Sequence, residues 1–235
     1  VKVPLSNLER IGIPEFLKKH EGMSLKPLPL NDARYFLIKG DYFFQYELDE
    51  GSNETITFEI EIYVPYSFPD DLPLVREVGG KIPKEKDFHA SQDGFLCLGS
   101  PVRLRLIAHD KPSLEQYLEV CLVPYLYAIW KKLCFEEEMP FGELDHGRPG
   151  IIKDYMDLFG VQSEEHVMPM LKILHGGLKE AAEDPCPCGC CRKLEGCSYR
   201  KKLNKSLNVI RNKLPTPFIE KILESLESPK NDGEP

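Results

Sequence analysis

Thr55-Ile56-Thr57-Phe58-Glu59-Ile60-Glu61-Ile62-Tyr63-Val64 runs directly into Pro65-Tyr66-Ser67-Phe68-Pro69-Asp70-Asp71-Leu72-Pro73. The first segment alternates apolar and polar side chains, the period-two pattern of a strand with one buried and one wet face. Prolines at 65, 69 and 73 then end it, because proline has no N–H to give to a ladder. Working upstream, Asp49 to Asn53 reads as a turn, and Tyr35 to Leu48 is rich in the aromatic and branched residues that favour strands. Downstream, Leu74 to Val78 supplies a third strand. Together these segments predict an α+β fold built on an antiparallel meander. Residues 1–30 hold an amphipathic stretch, Ile13 to His20, followed by Pro27 and Pro29, and read as an extension leading into the sheet.

After the third strand comes Phe88-His89-Ala90-Ser91-Gln92-Asp93-Gly94-Phe95-Leu96-Cys97-Leu98-Gly99, which sets one thiol just past a glycine turn. A polar loop follows, and then a helix capped by Ser113. Leu114, Tyr117, Leu118, Cys121, Leu122, Tyr125, Leu126, Ile129, Trp130 and Leu133 form its apolar stripe, which makes Cys121 a core thiol. Pro124 within the stripe predicts a kink or one missing backbone hydrogen bond. Glu136 to Glu138 read as a solvated turn, and the stretch Phe141 to Gly150 opens a second helical region with Ile151, Ile152, Tyr155, Met156, Leu158 and Phe159 on its apolar face. Ser163 is expected to cap a further helix through about Leu174, and Ser228 to Pro235 has the composition of a disordered tail. The expected organisation is a 1–30 extension, a 31–135 core, a 136–180 helical extension and a 181–235 metal-binding module with a terminal helix.

The order of meander, proline turn, histidine-bearing loop, Gly-Phe-Leu-Cys-Leu run and long helix resembles the ubiquitin-conjugating enzymes over about residues 33–133. Phe68 to Pro73 matches that family's proline turn, His89 its loop histidine, Gly94 to Leu98 its active-site run, and Pro112-Ser113-Leu114 the start of the following helix. The resemblance implies a UBC-like core in which Cys97 accepts an activated acyl group as a thioester and passes it to an amine, chemistry that suits a nucleophilic thiol. It also implies partners: an activating enzyme, a ubiquitin-like modifier or other conjugated protein, and a target protein.

The departures matter. Ala90-Ser91 follows His89 where the family has Pro-Asn, and that asparagine is the residue thought to support the oxyanion. A tryptophan common after the cysteine is also missing. The pattern is closer to divergent bacterial members found in operons linked to phage defence, an association that comes from the resemblance alone. Replacement oxyanion donors are sought among His89, Ser91, Gln92, His109, the N–H groups near Cys97 and, more remotely, His146 in Gly142-Glu143-Leu144-Asp145-His146-Gly147. Bland alternatives stand beside these: His89 as a surface residue, His109-Asp110 as a turn, His146 as a helix-start residue. At the level of function the alternatives are a catalytically silent module of the same fold that recruits a ubiquitin-like protein, and a cysteine hydrolase with a Cys97-His dyad.

A formal charge of −8 over 235 residues argues against a general nucleic-acid coating protein, though not against a local basic patch. No stretch approaches the roughly 18 apolar residues of a membrane span, and no signal-like N-terminus is seen, so a cytoplasmic protein is expected. Five of the eight cysteines, Cys186, Cys188, Cys190, Cys191 and Cys197, fall within twelve residues, and in a reducing compartment that density points to metal rather than disulfides. The Cys-x-Cys-x8-Cys spacing resembles the small zinc motif at the C-terminus of the SecA translocation ATPase, but Ser198 stands at that motif's last ligand position. A structural Zn2+ needs four ligands, so the expected set is Cys186, Cys188, Cys191 and Cys197, with Cys190 the alternative to Cys191. From Arg192 to Lys213 there are eight Lys/Arg and one acidic residue, a basic surface suited to an acidic partner or to nucleic acid. Thr216-Pro217 then starts a helix whose Phe218, Ile219, Ile222, Leu223 and Leu226 are expected to pack inward.

Overall fold

The alternating segment forms a strand from Asn53 to Pro65 that pairs along its whole length with a strand from Tyr35 to Glu47, in a computed structural model that describes residues 5–28, 34–47, 53–137 and 147–227. These are β3 and β2 of a four-stranded antiparallel sheet in the order β1-β2-β3-β4, with β1 at Met23–Lys26 and β4 at Leu74–Glu77. Ile56, Phe58, Ile60, Ile62 and Val64 all point to one face and are buried, as period two requires. The register sets Ile38 opposite Ile62 and Tyr42 opposite Phe58, which joins both strands into one apolar layer. β1 approaches β2 so closely that a Cβ on Gly40 would sit 2.0 Å from the carbonyl oxygen of Gly22, so that position admits only glycine. The turn between β2 and β3, His146 and the 228–235 tail lie outside the described residues.

The chain gathers into two compact units, Val1–Glu143 and Leu144–Pro235. In the first, the N-terminal segment belongs to the core: α1 (Leu5–Ile11) and α2 (Ile13–Lys19) contribute Ile11, Ile13 and Phe16, and β1 contributes Met23. The 99–112 segment, expected as a polar loop, contains α3 (Pro101–Asp110), whose first turn is set by Pro101 and by Ser100 Oγ accepting from the Arg103 N–H. Next comes α4 (Leu114–Phe135), capped as expected by Ser113, whose Oγ accepts from the Gln116 N–H at 3.3 Å. The predicted stripe is buried from Leu114 to Trp130, including Cys121, while Leu133 is exposed because the last turn runs past the core.

The second unit contains α5 (Gly147–Phe159), α6 (Val167–Gly176), α7 (Tyr199–Arg211) and α8 (Thr216–Glu227), with α6 packed against both α5 and α8. Ser163 does not cap a helix with its side chain; it precedes a short 3-10 turn, Glu164–His166, and α6 begins after it. The apolar face of α7, Leu203, Leu207 and Ile210, is buried, as are Ile219 and Leu226 of α8. The Arg211 guanidinium donates to the carbonyl oxygens of Ile173 and Leu174 at the end of α6, the first of which also accepts from the Gly177 N–H.

Candidate active site and metal centre

The loop carrying Cys97 is fastened to the sheet on one side and to α4 on the other. On the sheet side, the Glu77 N–H donates to the Gly94 carbonyl at 3.0 Å and the Leu96 N–H donates to the Val75 carbonyl at 2.8 Å, so the loop continues the edge of β4. Gly94 has φ +83°, and a Cβ there would meet the Glu77 carbonyl oxygen at 2.9 Å, which explains the glycine of the Gly-Phe-Leu-Cys-Leu run. On the helix side, the Tyr125 hydroxyl donates to the Phe88 carbonyl at 2.7 Å and Lys132 Nζ donates to the Asp87 carbonyl at 2.8 Å. Burial, with a smaller contribution from a charge at Cys97, pushes the Tyr125 phenol well above its ordinary range, so it remains a donor.

His89 closes the 3-10 turn Lys86–Phe88 in the left-handed conformation, φ +49°, unusual for a residue with a side chain. Its carbonyl oxygen accepts from the Cys97 N–H at 2.8 Å, which joins the histidine loop to the backbone of Cys97. The Cys97 side chain is exposed, with Sγ 4.0 Å from the Gly99 carbonyl oxygen. Exposure separates it from Cys121, where burial pushes the thiol up to about 11.

The candidate oxyanion donors separate clearly. Ser91 Oγ accepts from the Phe95 N–H at 3.0 Å and the Gln92 amide donates to the Lys84 carbonyl at 3.1 Å, so both hold the loop together. The N–H groups of Leu96 and Cys97 are likewise engaged. Among the described residues, those of Leu98 and Gly99 have no acceptor. His109 sits in the last turn of α3, not in a turn of its own, with Nε2 3.9 Å from a carboxylate oxygen of Asp70 in the proline turn. Sequence reasoning placed Tyr125 in the core stripe and missed its hydroxyl as the anchor of the histidine loop; stripe periodicity reports the ring and carries no signal for the oxygen.

In the second unit, the Sγ atoms of Cys186, Cys188, Cys190 and Cys197 lie within 4.8 Å of one another. The separations are 3.2 Å for Cys186 to Cys188, 3.7 Å for Cys188 to Cys197 and 3.5 Å for Cys190 to Cys197. Sulfurs tetrahedrally placed at about 2.3 Å from an ion stand about 3.8 Å apart, so four thiols in this arrangement could hold a metal ion. The fourth member is Cys190, correcting the expected Cys191. Cys191 has φ +58°, which turns its exposed side chain away, and its Sγ faces the Gly189 carbonyl at 3.8 Å. The Cys186 N–H donates to the Arg192 carbonyl at 2.8 Å and the Cys197 N–H to the Leu194 carbonyl at 3.2 Å, so backbone bonds fix both ends of the knuckle. Burial pushes the Cys186 thiol up to about 12, whereas the Arg192 N–H draws that of Cys190 down to about 7.

No protein-family model, curated protein or solved structure matches this chain. Among the described residues, no helix is long and apolar enough to cross a membrane.

Proposed function

We propose that the first unit is a UBC-like acyl carrier: Cys97 takes an activated C-terminal acyl group from an activating enzyme and transfers it to an amine. The observation that carries this reading is an exposed Cys97 whose N–H is bonded to the carbonyl of His89, in a loop fastened to the last strand of an antiparallel meander. An acyl carrier needs a thiol that large protein partners can reach on a loop that does not collapse, and both conditions are met here.

In the first step the Cys97 thiolate attacks the carbonyl carbon of the donor thioester; the new S–C bond forms, the old one breaks and the donor thiolate leaves. In the second, an amine nitrogen attacks the Cys97 thioester, the Cys97 thiolate departs, and the nitrogen loses a proton to solvent or a nearby base. Each step passes through an oxyanion. The Leu98 and Gly99 N–H groups replace the missing asparagine as donors, and each such donor contributes about 2.7–4 kcal/mol.

In the second unit the proposed ion is Zn2+, held by Cys186, Cys188, Cys190 and Cys197. Four thiolates leave no open position, so its role is to fold a segment too small for a core of its own.

The test of the acyl-carrier reading is intact mass spectrometry after incubation with ATP and pairs of activating enzyme and ubiquitin-like modifier. The expected product is an adduct that thiol reductants remove, that Cys97→Ser turns into a reductant-resistant ester, and that Cys97→Ala abolishes. An adduct that survives Cys97→Ala, or no adduct with any such pair, overturns it.

A further inference from the structure

The 192–213 segment carries a net charge of +7 on a chain of −8, so the rest of the chain stands at −15. The structure sorts these cations. Arg211 caps the carbonyls at the end of α6, and Lys193 is paired with Glu183. Arg192, Lys201 and Lys205 are exposed, and among the described residues none of the three has an ion-pair partner.

α7 contains no acidic residue in its thirteen positions. Leu203, Leu207 and Ile210 are buried, which leaves Lys201, Asn204, Lys205 and Asn208 together on the exposed side at helical spacing. The start of the helix is set by the cysteine knuckle, since the Arg200 N–H donates to the Cys197 carbonyl at 3.1 Å. The result is a cationic helix face about 20 Å long, carrying asparagine amides between its lysines.

We infer that this face of α7 binds duplex nucleic acid. Two features select that partner over an acidic protein. Protein interfaces are built on aromatic and large apolar anchors, and the one large apolar residue exposed on α7 is Val209. Nucleic-acid interfaces are instead polar and strongly positive, with lysines set on phosphates and amides available to base edges. A duplex is selected over a single strand because single-strand sites stack bases on exposed aromatic rings, and the one aromatic of α7, Tyr199, is half-buried. Because the rest of the chain is acidic, contact is confined to this face and is steeply dependent on salt. The inference is independent of the acyl-carrier reading.

The test is fluorescence anisotropy of the full chain, metal-loaded, with a short labelled duplex DNA at salt between about 50 and 200 mM. Lys201→Glu/Lys205→Glu is expected to weaken binding roughly tenfold or more and to make the log–log salt slope shallower by about 1.8, the value for two phosphate contacts. Lys201→Ala/Lys205→Ala should move both quantities in the same direction by less. Lys111→Glu, an exposed change of the same charge type outside α7, should leave affinity within about twofold, because the contact is confined to the α7 face. Circular dichroism of each variant checks that α7 remains folded. Four results overturn the inference: no duplex binding at the lowest salt, loss of binding by Lys111→Glu equal to that of the lysine pair, tighter binding of the matching single strand, or competition by polyglutamate as effective as that by unlabelled duplex.

Discussion

The Cys97 N–H donates to the carbonyl oxygen of His89 across 2.8 Å, so the candidate nucleophile and the loop histidine are held by one backbone hydrogen bond. The bond fixes the Cys97 backbone while leaving the side chain in solvent. Alkylation of the native protein with iodoacetamide should therefore modify Cys97 quickly and Cys121 only after denaturation, because burial both blocks Cys121 and pushes its thiol up to about 11. Peptide mass mapping at successive times reads the two rates. Equal protection of both cysteines would remove the basis for a reactive Cys97.

Tyr125 should be worth more than a core phenyl ring. Its hydroxyl is the link between α4 and the Phe88 carbonyl, so Tyr125→Phe leaves that carbonyl without its donor at constant packing. The expected loss is about 1 kcal/mol in urea unfolding, the typical value of one internal hydrogen bond. A larger proportional effect is expected on formation of the Cys97 adduct, because the bond positions His89 and through it Cys97. A variant that loses stability but forms adduct at the wild-type rate would limit Tyr125 to a structural role.

The sheet was readable because period two over ten residues has few competing explanations, and the apolar residues of that pattern, Ile56, Phe58, Ile60, Ile62 and Val64, are all buried. The α4 stripe was readable for the same reason at period 3.6. α3 was not, because its Arg103, Arg105 and His109 give it little apolar periodicity, and the Ser100-Pro101 start signal stands without a stripe behind it. β1 escaped notice because four residues carry too little pattern. Cys190 and Cys191 are neighbours with near-identical spacing to the other thiols; a backbone dihedral at Cys191 decides between them, and no sequence pattern reports that angle.

Metal removal and ligand substitution should separate those two cysteines. Cys190→Ser removes one of four converging thiols and should lower bound zinc well below one ion per chain, as metal analysis after dialysis would read. Cys191→Ser should leave it near one, since that side chain points elsewhere. Chelation should reduce helical signal in circular dichroism, because the Cys197 carbonyl accepts at the start of α7 and the knuckle has little core of its own. Equal zinc loss in both variants would mean that Cys191 is a ligand.

Glu61 provides a pH-dependent test of the sheet. It stands on the face opposite the core, yet its side chain is only 9% exposed, and it accepts from Arg76 Nε at 3.0 Å, Tyr63 Oη at 2.9 Å and Lys39 Nζ at 3.2 Å. Burial alone would favour the neutral acid; the hydrogen bonds from Arg76, Tyr63 and Lys39 outweigh it and hold the carboxyl below its usual range. A carboxyl depressed in the folded state stabilises fully above its unfolded value of about 4.3 and loses that contribution as pH falls through the lower folded value. Glu61→Gln should therefore lower stability by about 2 kcal/mol at pH 7, the scale of hydrogen bonds to a charged group. The gap between variant and wild type should stay constant down to about pH 5 and close below about pH 4. Parallel urea titrations across that range measure it, and a gap that persists unchanged in acid would show that Glu61 acts through shape and not charge.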